Sequence, residues 1–296
     1  MRIEKITFGQ WKNAYRCTLG DMSLVAVADV GPRILSFGLN GGPNILFTDG
    51  NDCYRRGDWH LYGGHRFWAG PETEHAFAPE NACCEVRIDD NAMSIVQPVD
   101  GMGLQKELRI QSSAKDKVFV LDHIVRNVGK LLFPACIWTL TCALPHCVVV
   151  PWASGSSSWQ CNMVRYWRRW DNHSTDPGSE QWKPDIDRFV VEPSGEEGKI
   201  GLYSEYGFLA LLRPDSTFVK TYKPLLEATY SDGGCNVELY TCKDFVELET
   251  LSPMYTFYPG REYCHTEQWL LVPQRFEPAE WKMIQSLLLT EVSNFK

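Results

Sequence analysis

Residues 236–251, NVELYTCKDFVELETL, alternate apolar with acidic or polar side chains on both sides of a short turn. A strand points successive side chains to opposite faces. Val246 and Leu248 therefore share one face, and Glu247 and Glu249 share the other. Across the turn, Val237 and Leu239 match the apolar face, while Glu238 and Tyr240 match the acidic one. A turn over Thr241 to Asp244 would set Tyr240 opposite Phe245 and Glu238 opposite Glu247. Like charges directly opposed across a sheet are unfavourable. A cation, a shared proton or a polar ligand is expected to relieve them; a solvated outer face with mobile glutamates is the alternative.

Strand patterns dominate the rest of the chain. Ser23 to Asp29, Arg33 to Phe37 and Asn44 to Phe47 are short β-rich runs, separated by Gly31-Pro32 and Gly41-Gly42-Pro43. Further runs fall at 83–88, 93–97, 104–111, 117–126, 135–142, 147–151, 188–192, 199–203, 207–213, 217–223, 236–241, 245–251 and 264–272. One helix is expected, over Pro278 to Leu289, with a proline in its first turn. Many strands at short spacing predict an all-β fold, a large antiparallel β-sandwich. With no internal repeat and no low-complexity linker, residues 1–296 are expected to form a single domain.

A net charge of −8 and a pI near 5.4 argue against nucleic acid as a partner. No run approaches the roughly 18 apolar residues of a membrane span, and the first residues carry no stretch resembling a signal peptide. A cytoplasmic protein with no membrane partner is expected. The eleven cysteines are scattered, and no CxxC pair occurs. Reduced, mostly buried thiols are expected rather than a zinc site.

Two segments carry the polar chemistry. Residues 151–187 form a long loop with five of the eleven tryptophans (Trp152, Trp159, Trp167, Trp170, Trp182), together with Arg165, Arg168, Arg169 and the SGSSS run. A loop of this length is expected to bind something or to fold over a sheet as its own small core. Residues 59–75, WHLYGGHRFWAGPETEH, gather His65, Arg66, Trp68 and Glu72 behind two glycines suited to positive φ or close backbone passage. Histidine supplies acid–base chemistry near neutral pH, and arginine a fixed donor fork. His65, Glu72, Glu74 and His75 are conceivable metal ligands, but their spacing matches no HExxH or calcium-loop pattern, so neither metal nor cofactor is expected. There is no GxSxG, GxxxxGK[ST] or GxGxxG, which leaves serine hydrolases and nucleotide-dependent transferases without support.

The stretch VADVGPRILSFGLNGGPNILF (27–47) resembles the opening of aldose 1-epimerase (galactose mutarotase)-like proteins. Residues 237–271 are similar to that superfamily's final hairpin and last strand, and GGHRFWAGPE resembles an uncharacterised bacterial branch rather than the well-studied enzymes. The resemblance implies an antiparallel supersandwich whose concave sheet holds a sugar. It implies Glu249 as the base on the anomeric hydroxyl and His65 as a sugar-contacting histidine, with Arg66 or Arg33 as a substrate-binding arginine. The family's second histidine has no clear match: Trp138 takes that place, and His146 follows eight residues later.

Three functions follow as expectations, each with a small-molecule carbohydrate as partner. The first is a mutarotase-type epimerase acting on a free sugar or sugar acid. Glu249 would be the base and His65 the acid. Glu247 and Glu238 would bind hydroxyls or raise the Glu249 pKa, and Arg33, Arg66, Trp68 and Glu72 would orient the substrate. The second is a non-catalytic sugar-binding or sensing protein. The third is a glycosidase or lyase. Glu247 and Glu249 lie about 6.5–7 Å apart on one side of one strand, so that reading needs a partner such as Glu72 from across the cleft.

Overall fold

The computed structural model describes residues 1–112, 117–152, 162–292 and 295. Two large antiparallel sheets dominate it, one of eleven strands and one of ten. In the first, the spatial order runs Arg2–Phe8, Trp11–Leu19, Met22–Val27, Arg33–Leu39, His65–Gly70, Phe133–Ala143, Val246–Leu251, Val237–Thr241, Gly198–Leu202 and Val164–Tyr166. Tyr255–Phe257 pairs off this path with the start of Phe133–Ala143. The second sheet runs Trp182–Pro184, Arg188–Val191, Cys147–Pro151, Phe208–Leu212, Thr217–Tyr222, Glu262–Val272, Phe119–Asn127, Leu104–Ser112, Ala92–Val96 and Glu85–Ile88.

The sheets pack face to face through the inward side chains of both. Phe37 of the first sheet meets Phe218 and Trp269 of the second, each at 5.3 Å between ring centroids, and Phe119 at 6.1 Å. Burying each such side chain contributes roughly 1.5–3 kcal/mol, so this interlayer cluster is the main source of cohesion. The helix Trp281–Glu291 adds Trp281, Ile284 and Leu288 to the same core. It is preceded by a turn of 3₁₀ helix, Pro278–Glu280, and Glu277 and Glu280 form a capping box there.

The all-β sandwich expected from strand spacing is the observed fold. Three local expectations need correction. Asn44 to Phe47 is not a strand: Leu46 makes one isolated bridge to Ala143, and the Asn44 side chain occupies the Phe37 N–H, the Leu46 N–H and the Leu35 carbonyl. The closing hairpin turns later than expected. Thr241 still pairs with Val246 and the turn closes from Cys242 to Phe245, so Tyr240 faces Glu247 and Glu238 faces Glu249. The slip is two residues, which preserves every side chain's face. Finally, HRFWAG, expected only as a polar segment, is the strand His65–Gly70. Gly63 and Gly64 launch it at φ +79° and +66°, where a Cβ would lie 2.3 Å from the Phe47 carbonyl oxygen and 2.1 Å from that of Ile34. Only glycine fits there. The ten described cysteines are all free thiols, five of them buried.

Candidate functional site

Strand pairing aligns three rows of side chains on the outer face of the eleven-stranded sheet. Arg66, Leu140, Glu249 and Glu238 follow one another across four strands. Trp68 and Trp138 lie in a neighbouring row, directly opposite each other with ring centroids 5.5 Å apart. Cys142, Glu247, Tyr240 and Lys199 make the third. Loops close over these rows. They are the hairpin of Arg55–Arg56 with Trp59–His60, the turn Glu74–Phe77, and the hairpin of Arg169–Trp170 with His173–Ser174. An Arg56–Asp171 ion pair joins the two hairpins. They enclose a cavity of about 420 Å³ walled by Trp59, Trp68, Trp138 and Trp170, with Arg66, Lys199, Glu72, Glu247, Tyr240 and His173 as its main polar groups. That size is typical of small-molecule sites.

The opposed glutamates of the closing hairpin find their cation in Lys199. Its Nζ lies 2.9 Å from Glu238 Oε2, 3.3 Å from Glu249 Oε2 and 3.4 Å from Glu72 Oε2, and 4.4 Å from the centre of the Trp138 ring. Trp138 Nε1 donates to the same Glu249 oxygen at 2.5 Å. Burial disfavours the ammonium, but the three carboxylates outweigh it and hold Lys199 well above its ordinary pKa. One ammonium cannot neutralise three acids. Burial, against the pull of Lys199, lifts Glu238 to about 7; burial together with Glu238 and Glu247 lifts Glu249 well above the carboxylate range despite Lys199. Oε1 of each residue is buried without a partner, which favours the neutral form.

The residues named from sequence divide between the two faces of the sheet. Arg66, Trp68, Glu72 and Glu247 line the cavity. Glu249 and Glu238 lie beneath its floor, behind Lys199 and Trp138, with exposures of 0% and 2%. His65 is not with them. Alternation along its strand turns it into the sandwich, where its Nε2 meets His123 Nε2 at 2.7 Å and its Nδ1 meets Thr141 Oγ1 at 2.8 Å. The expected Glu249–His65 pair is therefore split by the sheet. Arg33 is also outside the cavity: it donates to the Leu61 carbonyl at 2.8 Å, pairs with Glu80 at 3.0 Å, and so holds the loop leading into Gly63. His146 lies beside Arg213 and Asp215 rather than at the cavity.

The buried network around His65 resolves into one direction of donation. The His123 Nδ1–H donates to the His265 carbonyl at 2.9 Å, so its Nε2 accepts from His65. His65 Nδ1 then accepts from Thr141, which accepts from Lys220 at 2.9 Å. Both rings are neutral in this chain of bonds. Burial lowers both pKa values, and for His65, Lys220 and His123 add to the effect while Glu267 opposes it. His65, His123 and Glu267 do bring ligating atoms within 4.8 Å of one another. The Lys220 ammonium already occupies Glu267 at 2.9 Å, and the histidine nitrogens are mutually satisfied, so the group is a structural polar core. Glu72 and His65 lie on opposite faces, which separates the ligand set considered from sequence.

Lys199, His173 and Trp59 line the cavity without having been singled out from sequence, and Trp170 was named there only as one of five tryptophans of the aromatic loop. His173 Nδ1 bonds Glu197 Oε1 at 2.5 Å, and Tyr240 donates to the same oxygen at 2.7 Å. Of the aromatic loop, Trp170 reaches the cavity, while Trp152 and Trp182 are buried and belong to the main core. Trp167 stands 5.3 Å from the Lys199 Nζ, and Trp159 and the SGSSS run lie outside the described residues. The loop thus serves in part as a wall of the cavity and in part as core.

No family model matches the sequence, and no curated protein matches it. Solved structures do. A candidate aldose 1-epimerase from Escherichia coli K12 superposes with a TM-score of 0.59 at 11% identity, over 88% of this chain and 99% of the other. A galactose mutarotase-like protein from Clostridium acetobutylicum gives 0.55 at 12% identity, over 92% and 99%. A protein from Synechocystis sp. PCC 6803 gives 0.60 at 12% identity, over 92% and 100%. No helix among the described residues is long and apolar enough to cross a membrane. The chain has the galactose mutarotase-like β-sandwich fold, which it shares with these aldose 1-epimerase-like structures.

Proposed function

We propose that the protein binds a carbohydrate in the tryptophan-walled cavity. The observation that supports this most is the composition of one enclosed space: four indoles for the C–H faces of a sugar ring, interleaved with Arg66, Lys199, Glu72 and Glu247 for its hydroxyls. The shared fold adds analogy only, because folds host unrelated functions. Trp170 is half-buried on a roof hairpin, so its removal should spare the fold. Trp170→Ala is expected to weaken sugar binding about tenfold, read by calorimetry with a panel of aldoses and uronates. A panel in which nothing binds the intact protein would refute the proposal.

A second reading, mutarotase-type turnover, is favoured by the His173–Glu197 pair bordering the same cavity as Glu247. The carboxylate fixes the Nδ1–H tautomer and leaves Nε2 for proton exchange, while Glu247 supplies a cavity-facing carboxylate. Exchange between anomers, followed by NMR saturation transfer, is expected to be accelerated by the protein and slowed at least tenfold by Glu247→Gln. A protein that binds sugar without accelerating exchange is a binding or sensing protein.

A further inference from the structure

Arg66 is the anomaly of the cavity. Its side chain is buried, with only 3% of the residue exposed, yet Nε and Nη1 are bonded to nothing. The guanidinium lies against two indoles, 3.9 Å from the centre of the Trp68 ring and 5.0 Å from that of Trp59, with the two rings tilted 54° to each other. The Trp59 indole Nε1 beside it is likewise buried and unbonded. No described carboxylate forms an ion pair with Arg66. Glu80, which feels the charge of Arg66, is paired with Arg33 and Lys106. Glu247 accepts from the Cys142 thiol at 3.1 Å instead. A buried cation without a counter-ion is costly to keep, and the unmet groups here are all donors.

We infer that the ligand carries a carboxylate that pairs with Arg66, which makes the substrate class sugar acids, such as hexuronates, rather than neutral aldoses. The inference rests on the carbohydrate reading of the cavity. A carboxylate is acceptor-only, whereas a sugar hydroxyl also needs an acceptor of its own. A guanidinium bonds a carboxylate more strongly than a neutral hydroxyl because the bond is charge-assisted. A single guanidinium balances one negative charge.

The test is calorimetry and indole fluorescence on the intact protein with galacturonate, glucuronate and mannuronate. The comparison ligands are their methyl esters, the parent hexoses and the hexose 6-phosphates. The uronates are expected to bind at least tenfold more tightly than their esters and parent hexoses, which corresponds to about 1.4 kcal/mol. Arg66→Gln is expected to erase that advantage, so that each uronate binds the variant no more tightly than its methyl ester. If the variant does not fold, the acid-against-ester comparison still decides the matter. Esters or hexoses that match the uronates would overturn the carboxylate assignment and leave the carbohydrate reading standing, and tighter binding of the 6-phosphates would also overturn it. If no sugar of any class binds, both fall together.

Discussion

Lys199→Met is expected to cost about 3–5 kcal/mol of stability at pH 8, the range for removing one partner from a buried ion pair. The side chain is 4% exposed and its partners Glu238 and Glu249 are 3% and 0% exposed, so solvent cannot replace the lost charge. Glu238 and Glu249 also face each other directly across the hairpin, and without the ammonium nothing screens their repulsion. The loss should depend on pH. Both carboxyls already titrate above the ordinary value, Glu238 at about 7, through burial opposed in part by Lys199. Removing the lysine raises them further. The folded variant then binds more protons than the unfolded chain above about pH 4.5, and its stability falls as pH rises through that window. The deficit relative to the unaltered protein should shrink to below about 2 kcal/mol at pH 5, where Glu238 and Glu249 are neutral in both folded proteins. Urea titrations at the two pH values read this directly, and adding Glu238→Gln should restore part of the loss at pH 8. Equal deficits at pH 5 and pH 8 would mean that Lys199 matters through packing and not through charge.

The same hairpin illustrates how far sequence reasoning reaches. Alternation in VELYT and VELET assigns every side chain to its face, and a pairing register displaced by two residues leaves those assignments intact because the strand period is two. That opposed glutamates call for relief by a cation, a shared proton or a polar ligand is legible too. That the relief is a cation, and which one, is not. Lys199 stands in GKIGL, an apolar stretch with nothing to advertise it, and reaches the acids only because Gly198–Leu202 pairs with Val237–Thr241. That adjacency is a matter of strand order, which local pattern does not encode. His65 and Arg66 show the opposite case. Had residues 65–70 been read as a strand, alternation alone would have sent the two side chains to opposite faces and separated the imidazole from Glu249. The polar, glycine-led look of GGHRFWAG hides that strand, because its outward row lines the cavity with Arg66 and Trp68 and its inward row includes a histidine sealed in the core. Trp170 and His173 reach the cavity on a two-residue-per-strand hairpin, too short to leave a periodic signal.

Glu267→Gln should destabilise the protein by a similar margin, about 3–5 kcal/mol at pH 7, and with the opposite dependence on alkali. Glu267 and Lys220 are both fully buried and lie 2.9 Å apart in the interior between the sheets. Burial pushes the Glu267 carboxyl up, but Lys220 and the histidines His123, His65 and His265 outweigh it and hold it well below the usual range. Burial already lowers the Lys220 pKa even though Glu267 opposes the shift. Loss of the carboxylate removes that opposition and leaves an ammonium held only by the Thr141 hydroxyl and the Leu248 carbonyl. The folded variant then prefers neutral lysine, while the unfolded chain keeps its proton up to about pH 10.5. Stability of the variant should accordingly recover as pH rises from 7 towards 10, the range in which Lys199→Met gains nothing. On the acid side the unaltered protein should lose stability as pH falls below about 6.5. The neutral, buried His65 and His123 and the strongly depressed His265, at about 3, take up protons only on unfolding. Denaturant midpoints for both variants between pH 5 and pH 10 separate the two polar networks. A Glu267→Gln deficit that stays constant or grows towards pH 10 would refute the Lys220–Glu267 ion pair as the source of that deficit.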